Sequence, residues 1–138
     1  MGEREVLFAI YEQALVSAQD PTNDEWVDPS FECLTRGQSA VIMTAYNPGT
    51  ERPTWAQNEE ANVRMLQVLL GTYPDVWRAD GFSPDGTWRE PGWLVWGMPI
   101  NHGCAVAAEF GQFAVYYYDE EGVRTVVSCD DSTPPASI

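Results

Sequence analysis

The spacing of apolar residues predicts two main helices and one short helix. At about 100° per residue, the apolar side chains of residues 3–18 gather on one side of a helix. A second helix is predicted over about residues 56–71, ending at Gly71, and a short third over about residues 102–110, with Asn101 as a possible cap. The apolar side of the first helix is formed by Val6, Leu7, Ile10, Tyr11 and Ala14.

The strands are predicted from short β-rich runs bounded by turn residues. Residues 39–46 form one run, which stops at an Asn-Pro-Gly turn, and residues 93–96 form another. Residues 113–118 and 123–129 read as a hairpin with an acidic turn at residues 119–122. Residues 19–37 and 74–92 are rich in Pro, Gly and Asp, so each is predicted to be an irregular connection with at most a short strand, the first near residues 31–34.

This order of elements predicts one α+β domain over residues 1–130. The expected architecture is a mostly antiparallel sheet of about 4–5 strands with two main helices and one short helix. The polar residues 131–138 are expected to form a flexible C-terminal tail.

The negative net charge of the protein argues against two classes of binding partner. The 138 residues carry 21 acidic and 7 basic side chains, a net charge of −14, and every basic residue is arginine. Direct nucleic-acid binding and anionic membrane surfaces are disfavoured, because both need clustered positive charge. No apolar run reaches a membrane-spanning length and the first residues do not resemble a signal peptide, so a cytoplasmic location is expected.

Few parts of familiar active sites are present. The three cysteines are widely spaced and form no CxxC, which argues against a zinc site, and His102 is the single histidine. The chain also has no G-x-S-x-G, P-loop or HExxH motif. We therefore expect no metal and no cofactor, and a non-enzymatic role is favoured over an enzymatic one.

Two amides lie on the apolar side of the second predicted helix. Asn62 falls at the middle of that side with Asn58 beside it, whereas Arg64 points away. A buried amide without a hydrogen bond costs about 1–3 kcal/mol, so these two need partners. They either form a structural clasp to nearby main chain or line a pocket and contact a ligand.

Other polar residues have paired interpretations of the same kind. Asn47 is either a turn residue or a side chain at the edge of the sheet where sites are built. Glu90 is a solvated loop charge, a partner of Arg89 or Arg78, or a functional carboxylate. Gln112 enters a strand among apolar neighbours, so its amide also needs a partner.

Four segments together resemble a known family. They are IMTAYNP at residues 42–48, NVR at 62–64, PDGTWREP at 84–91 and FGQFA at 110–114. Their order and spacing resemble the domain-of-unknown-function family 3293 of small bacterial and phage proteins, over about residues 39–118. The family usually has asparagine where this chain has Phe113. The resemblance brings no activity with it, but it implies that one locus contains Asn47, Asn62, Trp88, Glu90 and Gln112.

Three functions are consistent with these features. The first is a binding module for a small polar ligand, nucleoside-like or metabolite-like, in which amides and Glu90 make the polar contacts and Trp88 stacks. The alternative is an acidic interaction or inhibitor protein, of a kind that phages encode, whose segments 20–28, 119–121 and 130–131 bind a basic protein surface. A hydrolase or transferase using Glu90 with Asp85 is the least favoured. The sequence does not indicate an oligomeric state.

Overall fold

Four helices and seven strands make up the part of the chain described by the computed structural model, residues 2–48 and 51–129. The helices are α1 (Glu3–Gln13), α2 (Pro29–Arg36), α3 (Trp55–Leu70) and α4 (Ile100–Glu109). The strands are β1 (Leu15–Gln19), β2 (Trp26–Val27), β3 (Ala40–Met43), β4 (Val76–Phe82), β5 (Arg89–Trp96), β6 (Ala114–Tyr118) and β7 (Arg124–Ser128).

All seven strands belong to one antiparallel sheet, in the order β2-β1-β4-β5-β3-β6-β7. The predicted α+β class and antiparallel sheet are therefore confirmed. The predicted strand number of 4–5 is wrong, because the sheet has seven strands, and four helices replace the predicted three. The proposed tail, residues 131–138, lies outside the described residues.

The first helix is shorter than its periodicity predicts. It ends at Gln13, Ala14 is extended, and the next five residues form β1, which pairs with β4. The guanidinium group of Arg124 donates hydrogen bonds to the main-chain carbonyls of Glu12 at 2.8 Å and Ala14 at 2.7 Å. Because this partner lies more than a hundred residues along the chain, local spacing could not reveal where the helix ends.

A helix was missed between residues 29 and 36. The carboxylate of Asp28 accepts a hydrogen bond from the Ser30 amide at 3.0 Å, Pro29 occupies the first turn, and Gly37 ends the helix with φ of 63°. The predicted strand near residues 31–34 is therefore wrong. These start and stop signals are local, but the acidic and proline-rich composition of the segment outweighed them.

The segment predicted as loop over residues 74–92 mostly forms a hairpin. Strand β4 and the start of β5 pair over seven positions, from Val76 with Val95 to Phe82 with Arg89. The turn between them places Gly86 at φ of 76°, and the Asp85 carboxylate accepts from the Thr87 amide at 3.0 Å. Strand β4 lies inside the sheet, and its neighbouring strands cannot be identified from the local sequence. The turn residues of the segment therefore decided the prediction.

The remaining predicted elements are confirmed with small shifts. Helix α3 begins with a capping box in which Thr54 and Gln57 bind each other's main chain. Helix α4 begins at Ile100, so Asn101 lies inside its first turn rather than at its cap. The hairpin of β6 and β7 forms around the acidic turn as predicted.

The sheet is buried on both faces at its centre. Val41 and Met43 of β3 pack on the side of α3 and α4, whereas Ala40 and Ile42 pack with the other core, which includes Cys33 of α2. Both clusters consist of buried apolar side chains, and they meet across the four fully buried residues of β3. None of the helices in the described part of the chain is long and apolar enough to cross a membrane.

Gly92 allows the end of β3 to lie directly against β5. A Cβ at this position would collide with the main-chain carbonyl of Met43 and would lie 3.2 Å from the Cβ of Thr44. The close approach brings the Thr44 hydroxyl to 2.6 Å from the Pro91 carbonyl, to which it donates. The chain leaving β3 is thereby directed along β5 toward the polar residues described next.

Candidate functional site

Asn62 attaches the chain after β3 to both α3 and β5. Its Oδ1 accepts from the main-chain amide of Ala45 at 3.1 Å, and its Nδ2 donates to the Pro91 carbonyl at 3.3 Å. Only 4% of the residue is exposed. Both polar groups of the side chain are bound to main chain, so the geometry supports the structural-clasp interpretation of Asn62.

Asn58, one turn earlier on α3, holds Asn47. Its Oδ1 accepts from the main-chain amide of Asn47 at 2.9 Å, and its Nδ2 donates to Oδ1 of Asn47 at 2.9 Å. Asn47 has a φ of 47°, in the left-handed region that asparagine tolerates better than most residues. We call residues 44–47, which Asn58 and Asn62 hold, the clasped segment.

Asn47 connects the asparagines of α3 to Glu90. Its Nδ2 donates to Oε2 of Glu90 at 3.0 Å, so three polar side chains form a line from Asn58 through Asn47 to Glu90. Glu90 lies in β5, opposite Gly81 of β4. Burial raises the pKa of Glu90, while the hydrogen bond from Asn47 and the positive charge of Arg52 oppose that rise.

Glu90 is not the solvated partner of Arg89 or Arg78. Those two arginines instead surround the buried Asp80, with Arg89 Nε at 2.7 Å from Oδ2 and Arg78 at 3.7 Å from Oδ1. The loop-charge interpretation of Glu90 is therefore wrong, because the residue is in a strand and its charge is separated from both arginines.

Glu90, Tyr11 and Trp88 line two cavities. The first, which we call the inner cavity, has a volume of about 30 Å³ and lies against the sheet. The second, which we call the outer pocket, has a volume of about 180 Å³. By volume the inner cavity admits only about two water molecules, so the outer pocket is the one large enough for a metabolite. The outer pocket is lined by Leu7, Ile10, Tyr11, Asn47, Arg52, Trp88 and Glu90.

The structure brings together most of the predicted site residues. Asn47, Trp88 and Glu90 all line the outer pocket. Gln112 lines the inner cavity, and its Nε2 donates to the Tyr46 carbonyl at 3.0 Å. Asn62 lines neither cavity.

Sequence reasoning missed the contribution of α1 and of Arg52. Leu7, Ile10 and Tyr11 were recognised as the apolar side of a helix, but not as a wall of a pocket. Tyr11 reaches this position through β6, since the Tyr116 hydroxyl donates to the Tyr11 carbonyl at 3.1 Å and the two rings meet edge to face. The usable signal was an apolar helix side with more aromatic surface than a small core requires.

Two other polar features lie outside this pocket. The Tyr46 hydroxyl donates to the Glu59 carboxylate, and burial together with this bond raises the pKa of Tyr46. An open groove of about 960 Å³ lies between the loop after β3, α3 and α4, and Arg52 lines both this groove and the outer pocket. Among residues 2–48 and 51–129, no three His, Cys, Asp or Glu side chains are grouped closely enough to hold a metal ion.

Comparison with known proteins identifies the family to which this chain belongs. A family model described as "Protein of unknown function (DUF3293)" matches residues 43–115, more than half of the chain. The chain belongs to the DUF3293 family. The resemblance identified from the four sequence segments is thus confirmed. The DUF3293 match runs from the end of β3 to β6 and includes all five predicted site residues, whereas α1 lies before it. No curated protein and no solved structure matches the chain.

Replacing Asn62 tests whether the clasp is structural. Asn62→Ala leaves the buried Ala45 amide without its partner and removes one of the two side-chain donors to the Pro91 carbonyl, so we expect a loss of about 1–3 kcal/mol in the free energy of unfolding. Urea denaturation measures it, with Gln67→Ala on the exposed side of α3 as the control. An Asn62 variant as stable as the control would contradict this assignment.

The buried charge of Glu90 predicts a pH-dependent stability difference. Because the pKa of Glu90 is raised above 4.5, the folded chain binds this proton more tightly than the unfolded chain. Its contribution to stability is therefore present below pH 4.5 and is lost as the pH rises through the raised pKa. Glu90→Gln removes this loss, so the melting temperature of the variant should rise relative to wild type across that range. A constant difference, or an equal trend in the exposed control Glu60→Gln, would contradict the prediction.

Proposed function

We propose that this DUF3293 protein is a non-enzymatic module that binds a small polar ligand in the outer pocket. The observation that carries the proposal is the incomplete hydrogen bonding of the Glu90 carboxylate. One carboxylate oxygen accepts from Asn47, and no hydrogen bond to the other oxygen joins it to any of the described residues. A partly buried carboxylate with an unused acceptor at the wall of a pocket is suited to a ligand that donates hydrogen bonds.

The cost of burying this charge supports a functional role. A carboxylate taken out of water without full pairing is expensive, and a glutamine would make the same bond to Asn47 without that cost. Arg52 is too far away to form an ion pair with Glu90, although its charge affects the pKa of Glu90. A ligand donor bound to the free oxygen would offset part of the burial cost.

The walls of the outer pocket suit a small organic molecule. Leu7 and Ile10 supply aliphatic surface, and Trp88 and Tyr11 supply aromatic faces. Ligand pockets are generally apolar with a few placed polar groups, which is the composition here. Asn47 orients Glu90, while Asn62 and Gln112 support the clasped segment without touching the ligand.

A thermal-shift screen of the full-length chain tests the proposal. The panel contains nucleosides, monosaccharides, amines and amino acids, and at least one compound should raise the melting temperature. Trp88→Leu and Glu90→Gln should abolish that shift, because they remove the stacking surface and the acceptor. The control Trp55→Leu, at a tryptophan that is 73% exposed outside the pocket, should retain it. If no member of the panel produces a shift, or if all three variants respond alike, the proposal fails.

A second candidate function is binding of a basic protein, and the surface of α2 favours it. Phe31 and Leu34 are exposed on α2 by 61% and 55%. Acidic groups from two of the three predicted acidic segments lie around this helix, since burial raises the pKa of Cys33 to about 11, the charge of Arg36 opposes this rise, and the charges of Asp119, Glu32 and Asp28 add to it. The hairpin turn reaches the helix closely, because a Cβ at Gly122 would collide with the Ser30 carbonyl. An apolar pair within an acidic surround fits a basic amphipathic helix.

Fluorescence anisotropy with a labelled Leu/Lys amphipathic peptide tests this second candidate. Binding should weaken as salt increases, and the double variant Phe31→Ser, Leu34→Ser should bind the peptide at least about tenfold more weakly. Leu70→Ser, at an equally exposed leucine of α3, is the matched control. Equal binding by both variants, or binding that does not change with salt, would rule the surface out.

A further inference from the structure

We propose that the ligand of the outer pocket is a small zwitterion of the α-amino acid type, with its ammonium group on Glu90 and its carboxylate on Arg52. This inference rests on the proposed function and specifies its ligand class. The argument depends on two opposite charges that line one pocket without neutralising each other.

Both charges belong to the same pocket. Glu90 and Arg52 line it together, yet no ion pair joins these two described side chains. Arg52 is exposed, whereas Glu90 is only partly accessible. The pocket therefore has a negative group in its wall and a positive group nearer to solvent.

Arg52 is the most available arginine among those whose side chains are described. Four of the others pair with carboxylates at 2.7 to 3.7 Å, and one donates to two main-chain carbonyls of the α1 end. Within the described part of the chain, Arg52 donates only to the main-chain carbonyl of its neighbour Glu51, at 2.8 Å. The rest of its guanidinium fork makes no hydrogen bond to a described residue and can bind a carboxylate with two parallel hydrogen bonds. The paired or donating arginines are Arg36, Arg64, Arg78, Arg89 and Arg124.

Glu90 favours a cationic donor over a neutral one. Its charge is partly buried and, among the described residues, is compensated by the Asn47 amide and the more distant Arg52, so an ammonium group recovers more of the burial cost than a hydroxyl does. The faces of Tyr11 and Trp88, which line the same pocket, attract a cation further. Phosphate-bearing ligands are disfavoured, because they would place negative charge beside Glu90.

The pocket that holds both charges is also lined by apolar side chains. Leu7 and Ile10 of α1 lie on the same pocket as Trp88, so a hydrocarbon side chain on the zwitterion would contact them. The inner cavity, at about 30 Å³, is too small for that side chain. We therefore expect an apolar α-amino acid to bind more tightly than glycine.

Three matched compounds test the ammonium group and the carboxylate group of the ligand separately. They are L-leucine, L-leucinamide, which lacks the carboxylate, and N-acetyl-L-leucine, which lacks the cation. Binding is followed by two-dimensional NMR of the ¹⁵N-labelled full-length chain through the Trp88 indole signal, assigned by its loss in Trp88→Phe. L-leucine should bind at least about tenfold more tightly than either derivative, since each loses one charge-assisted contact worth about 1.5–3 kcal/mol.

The variants should show opposite selectivity. Glu90→Gln should weaken L-leucine and L-leucinamide but leave N-acetyl-L-leucine unchanged, whereas Arg52→Gln should weaken L-leucine and N-acetyl-L-leucine but leave L-leucinamide unchanged. Glu60→Gln and Arg64→Gln, an exposed ion pair on α3 outside this pocket, make the same charge changes as controls.

The outcomes distinguish this inference from the proposed function. If a nucleoside or sugar shifts the Trp88 signal while L-leucine does not, the pocket binds a ligand and the zwitterion assignment is wrong. Equal affinity for L-leucine and L-leucinamide would also overturn it, as would an Arg52→Gln variant that binds L-leucine like wild type. If no compound of either panel shifts the signal, the proposed function itself fails.

Discussion

Amide side chains of α3, rather than regular sheet hydrogen bonds, hold the chain that leaves β3. Asn58 and Asn62 bind the clasped segment through its main chain, and Asn47 then binds Glu90. Asn58 and Asn62 are buried where water does not readily replace a lost partner, so their bonds are expensive to break separately. The position of Glu90 and the shape of the outer pocket both follow from this arrangement.

Local signals in the sequence were sufficient for β3 and α3, but not for the start of β5, which contains Glu90 and was predicted as loop. The helical position of Asn62 among apolar residues placed it correctly on the buried side of α3, and the four-segment resemblance pointed to Asn47, Trp88 and Glu90 as one locus. The sequence could not show which amides would be satisfied by main chain. That depends on the close passage of Met43 over Gly92, which is a property of the folded sheet.

Unlike the missed helix α2, whose signals are local, strand β4 and the end of α1 depend on long-range pairing. Strand β4 has Gly and Asp within it and was taken for loop, yet it lies inside the sheet between β1 and β5. The end of α1 is decided by Arg124, which no window of neighbouring residues contains. The wall that α1 adds to the pocket was hidden for the same reason, since Tyr11 is held by Tyr116 of β6.

The pocket has two parts with different relations to the family. Its floor, with Asn47, Trp88 and Glu90, lies inside the range that the family model matches, whereas its roof, with Leu7, Ile10 and Tyr11, lies on a helix before that range. Hydrogen bonds from Tyr116 and Arg124 attach the carboxyl end of this helix, α1, to the other described residues. Under the proposed function, substitutions on this one short helix would change the size and polarity of the molecule that the pocket accepts while Glu90 stays in place, which makes α1 the natural target for redesigning selectivity.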